Sequence, residues 1–147
     1  MSGGRRVCLL ALMMSDRPAV ERLRVLVVEP RDLVAARLTQ LFERLGHLVL
    51  ERTRDGREAI AAARALGPDL ILIARRLPGL DGIETARWIA AEGPVPIVLL
   101  ASYAGAEFVR QATDAGVVAF LTVLDRPRLR AAIADALQAH PTAEVRI

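Results

Sequence analysis

The sequence contains no lysine and no asparagine, so all 20 of its Lys+Arg residues are arginine. The missing lysine excludes Schiff-base catalysis, a phosphate-loop lysine and any site that requires an ammonium group. Aromatic residues make up only 3% of the chain, so a core must be built from Leu, Val, Ile and Ala. The single cysteine, Cys8, excludes an internal disulfide and a multi-cysteine metal site, and it predicts a reducing, cytoplasmic compartment.

The composition that is present predicts one globular domain. The chain has 147 residues, of which 53% are hydrophobic and 25% charged, and this excludes a disordered or low-complexity chain. The net charge is only +3, and arginines are interspersed with acidic residues along most of the chain. Only Arg126, Arg128 and Arg130 form a local basic cluster that could contact a phosphate backbone, so nucleic-acid binding is not expected.

The first residues precede the globular pattern. A basic pair followed by an apolar run over residues 7–14 resembles a signal peptide, but the run is short and no small-residue cleavage site follows it. Translation from Met13 or Met14 is the favoured explanation, and no stretch is long enough to span a membrane. We therefore expect an N-terminal extension over residues 1–22, a single domain over residues 23–139 and a short tail over residues 140–147.

From Leu23 onward, short apolar runs alternate with amphipathic helices. Continuous apolar runs are typical of strands that are covered on both faces. Five strands are predicted, over residues 24–28, 47–51, 69–74, 97–100 and 117–122. Each strand is followed by a helix. The first helix has Pro30 in its first turn and ends at Gly46, and the second and third are capped by Asp55 and Asp81. The fourth covers residues 105–115 and the fifth runs from Asp125 to about Gln138, while the apolar residues of the third are Ile83, Ala86, Trp88 and Ile89. This order predicts an α/β fold, with a single doubly wound five-stranded parallel sheet and helices on both of its faces.

In a doubly wound sheet, ligands bind at the carboxyl ends of the strands. Of the residues predicted there, only Glu29 carries a carboxylate, which makes a poor site for a divalent cation. No glycine-rich loop follows any strand to hold a nucleotide. Ser102 follows the fourth strand, but neither His47 nor His140 is placed to activate it, so a loop hydroxyl or a helix cap is the favoured role. The sequence therefore predicts no enzymatic activity, no metal site and no cofactor.

The segment over residues 68–82 is the most distinctive part of the chain, because its apolar strand is followed by the loop Leu-Pro-Gly-Leu-Asp-Gly. Supporting segments lie at residues 24–29, 96–100 and 115–121 and at the Asp55-Gly56 turn. Together these segments resemble the receiver domains of bacterial two-component response regulators. The resemblance covers residues 23–139, and it implies a flavodoxin-like receiver fold and a role in phosphorelay signal transduction.

The resemblance also assigns a phosphorylation pocket, and this pocket is degenerate. A working receiver holds Mg²⁺ with two acidic residues after its first strand and accepts a phosphoryl group on an aspartate at the end of its third. It has a Thr or Ser after the fourth strand and a lysine-proline pair after the fifth. Aligned with this pattern, the acidic pair is Glu29 and Pro30, the acceptor is Ala74, the hydroxyl position is Ala101, the lysine-proline pair is Val123 and Leu124, and the aromatic switch is Phe120.

The resemblance therefore implies a pseudo-receiver, which is a phosphorylation-independent protein–protein interaction module. Without an acceptor, a second carboxylate and a lysine, nothing balances the phosphoryl charge, and neither Asp32 nor Asp81 is expected to substitute. Burying a cluster of carboxylates costs stability, and Ala74, Ala101 and Val123 remove that cost. They are expected to leave an apolar, better packed pocket and one resting conformation.

Receivers commonly associate through the fourth helix, the fifth strand and the fifth helix. On this face the chain presents mixed charges, namely Glu107, Arg110, Asp114, Arg126 and Arg130. The expected partner is a sensor kinase, an output-domain protein or a second copy of the chain.

Two alternatives stay open. A small α/β ligand-binding or enzyme domain could reuse the strand-end pocket with Glu29 as its polar group. A nucleic-acid-associated transcription or antitermination regulator could use Arg126, Arg128 and Arg130. The chain also resembles receivers of antiterminator-type (ANTAR) regulators, whose RNA-binding helices follow the receiver. Residues 140–147 are too short for that module, so its output domain would be missing or on another chain.

Overall fold

The computed structural model describes residues 22–139. Residues 1–21 and 140–147 lie outside the described part, and with them Cys8, both candidate start methionines, His140 and the predicted tail. The strands are β1 (Arg24–Val28), β2 (Leu48–Thr53), β3 (Leu70–Ala74), β4 (Ile97–Leu100) and β5 (Ala119–Leu121). The helices are α1 (Asp32–Arg44), α2 (Gly56–Leu66), α3 (Gly82–Ala91), α4 (Ala106–Asp114) and α5 (Arg126–Ala139).

The strands form one parallel sheet in the order β2-β1-β3-β4-β5. β3 lies at its centre, and all of its residues are buried, as expected for a continuous apolar run in a parallel sheet. The direction of winding reverses between β1 and β3, and this reversal opens a crevice at the carboxyl ends of the two strands. The predicted doubly wound, flavodoxin-like receiver fold is confirmed.

Helices cover both faces of the sheet and bury two separate cores. On one face, α1 and α5 contribute Leu38, Phe42 and Leu129, which pack against alternate residues of the strands. On the other face, α2, α3 and α4 contribute mainly alanines, such as Ala59 and Ala86. Because both faces of the sheet are closely packed, the carboxyl ends of the strands are held in fixed positions.

The second strand is shifted from its predicted position. It begins at Leu48, because the His47 amide donates to the carbonyl of Phe42 in α1 at 3.0 Å. The ring of His47 accepts a hydrogen bond at Nδ1 from the Leu23 amide at 3.1 Å. It continues to Thr53, which pairs with Val28 of β1. The pairing thus extends the strand by two residues at its carboxyl end.

Two other predicted strands are too long. Asp69 lies before β3 rather than in it, and its carboxylate accepts the Arg24 amide at 2.9 Å. Val117 lies before β5, because its amide donates to the carbonyl of Ala112 at the end of α4, at 3.0 Å.

The first helix begins later than predicted. The prediction that Pro30 lies in its first turn is wrong, because α1 begins at Asp32 and Arg31 is the N-cap with an extended backbone (φ −85°, ψ 119°). The Arg31 amide donates to the carboxylate of Glu29 at 2.7 Å, and this bond holds the loop in its extended form.

Helices α2 and α3 begin as predicted. Oδ1 of Asp55 accepts the Glu58 amide and Oδ1 of Asp81 accepts the Glu84 amide, both at 2.8 Å. Trp88 departs from the apolar face of α3, since it is 58% exposed. No helix within residues 22–139 is long and apolar enough to cross a membrane.

Candidate functional site

The carboxyl ends of β1, β3 and β4 meet at one edge of the sheet. By the register of the strands, Glu29 and Ala101, which directly follow β1 and β4, flank Ala74 at the end of β3. All three side chains are buried, with 0%, 4% and 2% exposure. The structure thus brings together three of the positions that the sequence assigned to the pocket.

Glu29 carries the charge at this edge, and among residues 22–139 it is the one charged residue that is fully buried. Its Oε2 accepts the Arg31 backbone amide at 2.7 Å and the Arg31 Nε at 2.9 Å, while its Oε1 accepts Nη2 of the same arginine at 3.2 Å. The hydrogen bond from Arg31 to Glu29 raises the pKa of the arginine. The remaining carboxylate of the pocket is therefore paired within the chain, by a residue that the sequence did not single out.

Two further arginines surround the loop between β1 and α1. Nε of Arg52 donates to the backbone carbonyl of Glu29 at 2.8 Å, and its Nη2 donates to Asp32 Oδ1 at 2.9 Å. Nη2 of Arg54 lies 2.9 Å from the same Asp32 oxygen. The hydrogen bond from Arg52 and the charge of Arg54 hold the pKa of Asp32 below its usual range. These contacts tie the loop to β2 and to the turn that follows it.

Val123 and Leu124, which align with the lysine-proline pair of the family, do not fill the pocket. Val123 is 45% exposed, so the expectation that it packs into an apolar pocket is wrong. The chain turns here, with the Asp125 amide donating to the Val123 carbonyl at 3.1 Å. Leu124 packs instead against the core between the sheet, α1 and α5. Pro30 is half-buried at the opposite rim.

Helix α3 begins in close contact with the end of β3. The Gly82 amide donates to the carbonyl of Arg75 at 2.8 Å. A Cβ atom on Gly82 would lie 2.3 Å from the carbonyl oxygen of Ala74, so only glycine fits at this position. The glycine that ends the distinctive loop is thus required by backbone packing.

The aromatic position Phe120 belongs to a small stack. Its ring lies 6.2 Å from the ring of Phe108 in α4, at an interplanar angle of 59°. The guanidinium carbon of Arg75 lies 4.1 Å from the centre of the Phe108 ring, within cation–π distance. Neither Arg75 nor Phe108 was identified from the sequence, because only the tertiary structure brings β3, α4 and β5 together here.

Ser102 is exposed in the loop after β4 and does not cap α4, whose N-cap is Gly105 without a side-chain hydrogen bond. The residues of the predicted interaction face are likewise exposed on α4 and α5, namely Glu107, Arg110, Asp114, Arg126 and Arg130. Glu107 and Arg110 form an ion pair within α4.

The Mg²⁺ that the resemblance implies does not fit the donors of this pocket. Mg²⁺ requires several oxygen ligands in near-octahedral geometry. Glu29 is the one carboxylate at the ends of β1, β3 and β4, and both of its oxygens accept hydrogen bonds from Arg31. Within residues 22–139, no group of three or more His, Cys, Asp and Glu side chains could hold a metal ion.

Comparisons with known proteins identify the family. Residues 25–134 match the response regulator receiver domain, and the chain belongs to this family. It is thus a receiver domain of two-component signalling. A solved receiver domain of a modulated diguanylate cyclase from Desulfovibrio desulfuricans is similar, with 31% identity, a TM-score of 0.75 and coverage of 84% of this chain and 99% of that one.

Longer curated proteins are similar over the same region. The transcriptional regulatory protein PdtaR of Mycobacterium tuberculosis is 33% identical over 107 residues, which cover 73% of this chain and 52% of that protein. A protein-glutamate methylesterase of Archaeoglobus fulgidus is 34% identical over 105 residues, which cover 70% of this chain but only 30% of the enzyme. The chain therefore spans about half the length of the first relative and less of the second.

Proposed function

We propose that this chain is a phosphorylation-independent receiver that acts through protein contact. The observation that carries this proposal is the alanine at the end of β3. Ala74 is 2% exposed and offers no nucleophilic oxygen at the position where a receiver accepts its phosphoryl group. Without that oxygen, no acyl phosphate forms there.

The nearby aspartates support the same conclusion, because each has a structural role. Asp81 caps α3 through the Glu84 amide. Asp32 is bound by Arg52 and Arg54 at the start of α1. Neither residue lies at the end of β3, and neither has a lysine near it, since the chain contains none.

The packing around Phe120 supports a single resting conformation. The ring is held against Phe108, which is in turn covered by the guanidinium of Arg75. A ligand shifts a conformational equilibrium only when it binds the two conformations with different affinity. A pocket that accepts no phosphoryl group therefore cannot shift the Phe120 ring to a second conformation in this way.

Receiver domains interact with signalling proteins, and we propose α4, β5 and α5 as the contact face of this one. The exposed Arg126 and Arg130 on α5 and the exposed Asp114 on α4 give this face mixed charge. Such a face suits a sensor kinase, an output-domain protein or a second copy of the chain, because opposite charges guide and orient association.

Phosphorylation is tested by incubating the chain with Mg²⁺ and acetyl phosphate, and separately with beryllofluoride, followed by intact mass and NMR measurements. A receiver that carries the acceptor aspartate is the positive control. We expect no phosphoryl adduct and no shift of the Phe120 resonances. An adduct on one of these aspartates, removed by Asp81→Asn or Asp32→Asn, would overturn the proposal.

A further inference from the structure

We propose that Arg31 is the built-in counter-ion of Glu29, so that a guanidinium tethered to the chain does the work of the divalent cation in this pocket. The inference rests on the proposed function, and it adds how the pocket balances its charge. It begins from the disagreement between the Mg²⁺ expected of a receiver and the donors that are present.

A buried carboxylate requires compensation. Glu29 is fully buried, and an ionised carboxylate away from water is strongly unfavourable unless a charge and hydrogen bonds neutralise it. In this pocket the second acidic position is Pro30 and the acceptor position is Ala74. The arrangement therefore leaves one negative charge, which needs one positive charge and not two.

Arg31 supplies that charge in a geometry that leaves little for another cation. Its Nε lies 2.9 Å from Oε2 of Glu29 and its Nη2 lies 3.2 Å from Oε1, so both oxygens face the guanidinium. The backbone amide of Arg31 adds a third bond at 2.7 Å. A metal ion would have to displace a cation that is attached two residues away, and it would find no second carboxylate.

The local backbone makes this pairing possible. Because α1 begins at Asp32, Arg31 is an extended N-cap residue, and its side chain can turn back over Glu29. Arg52 fixes the loop from the other side through the carbonyl of Glu29. The side chain of Arg31 is 66% exposed, so the pair joins a guanidinium at the rim of the pocket to a carboxylate that is fully buried.

Four chains test the proposal: the wild type, Arg31→Ala, Glu29→Gln, and the double variant. Arg110→Ala is the matched control, because it removes an exposed arginine that is paired with the exposed Glu107. Thermal unfolding is measured with and without Mg²⁺. Mn²⁺, which prefers similar oxygen ligands, is used to broaden the NMR signals of amides near a bound ion.

We expect Arg31→Ala to lower the melting temperature by about 4 °C or more, and the double variant to recover most of that loss because no charge is left buried. Arg110→Ala should change it by less than about 1 °C. In the wild type, Mn²⁺ should leave the amides of Arg31 and Arg75 sharp. In Arg31→Ala it should broaden the Arg75 amide, and Glu29→Gln should abolish this broadening.

Broadening in the wild type that Glu29→Gln removes would overturn the proposal, as would an Arg31→Ala chain that keeps the wild-type melting temperature. If Arg31→Ala does not fold, Arg31→Lys provides the test, since it keeps the charge and should still exclude Mn²⁺. Failure of this inference is distinguishable from failure of the proposed function, because the latter is read from the phosphoryl adduct and not from metal binding.

Discussion

The carboxyl ends of the strands form two halves of one edge, and these halves differ in whether they bury a charge. The half formed by β1 and β2 keeps the buried carboxylate of Glu29 and surrounds it with Arg31 and Arg52. The half formed by β3 and β4 buries no charge, since Ala74 and Ala101 are buried there without polar side-chain atoms.

The difference shows that charge in a buried pocket is tolerated only together with its counter-charge. With alanines at the ends of β3 and β4, this half presents hydrocarbon that packs without further compensation. Retaining one at the end of β1 requires a guanidinium and a set of hydrogen bonds that reach across to β2. The half formed by β3 and β4 is therefore stable because it buries no charge, and the half formed by β1 and β2 because its buried charge is paired.

The most severe way to break this contrast is to place a carboxylate in the apolar half formed by β3 and β4. Ala74→Asp should lower the free energy of unfolding by about 3 kcal/mol or more at neutral pH, because the new charge is buried without a partner. Burial raises the pKa of such a carboxyl above its unfolded value of about 3.9, so the loss should shrink as the pH falls toward that value.

Urea unfolding of Ala74→Asp and of the nearly isosteric Ala74→Asn measures this effect. The uncharged variant should lose less stability, and its loss should not depend on pH. Equal losses of stability in the two variants would show that the size of the new side chain, and not its charge, causes the destabilisation.

The packing limit of the apolar half can be tested at Gly82. Gly82→Ala should cost about 1–3 kcal/mol, because its Cβ would meet the carbonyl oxygen of Ala74. Elsewhere in a helix the same exchange stabilises by up to about 1 kcal/mol. Chemical denaturation gives the value, and an unchanged or higher midpoint would contradict the close contact.

The charged half should respond to the loss of Arg52. Arg52→Ala removes the bonds to the Glu29 carbonyl and to Asp32, and we expect a loss of about 1–2 kcal/mol in thermal or urea unfolding. Arg110→Ala is the control, and as an exposed intrahelical pair it should lose at most about 0.5 kcal/mol. Similar losses in both variants would mean that the arginines around Glu29 are ordinary surface residues.

The smallest expected effect is a pH dependence of stability. It distinguishes Asp32, in the half formed by β1 and β2, from His47 at the opposite end of the sheet. The lowered pKa of Asp32 gives stability that is present above its unfolded value of about 3.9 and is lost as the pH falls through the folded value. Burial lowers the pKa of His47, so its contribution is present above about 6.5 and is lost below that pH.

Melting temperatures measured from pH 8 to pH 3 should therefore fall in two stages. His47→Gln should remove the decline below about pH 6.5. Asp32→Asn should reduce the decline below about pH 4 and leave the first stage unchanged. A single decline that neither variant alters would contradict both assignments.

Much of the fold could be predicted because it follows from local sequence patterns, namely apolar runs and helix caps. The apolar run of β3 and the caps Asp55 and Asp81 give the order of elements, and the short loops leave little choice of topology. The boundaries of β2 and α1 were less accurate, because His47 and Glu29 form hydrogen bonds that no periodicity contains.

The candidate site was predicted only in part, for the same reason. Glu29, Ala74 and Ala101 follow predicted strands, so the parallel sheet alone brings them together. Arg52 reaches Glu29 across 23 residues of sequence, and Arg75 meets Phe108 from a different element, so neither contact has a spacing that a sequence could reveal.

The sequence by itself determined that this receiver contains no lysine and that alanine ends its third strand, because composition and strand order are properties of the chain alone. The tertiary structure decided what happens to the charge that remains. Electrostatic pairing depends on distance and burial, and only the packed loop between β1 and α1 turns Glu29 inward and sets Arg31 against it.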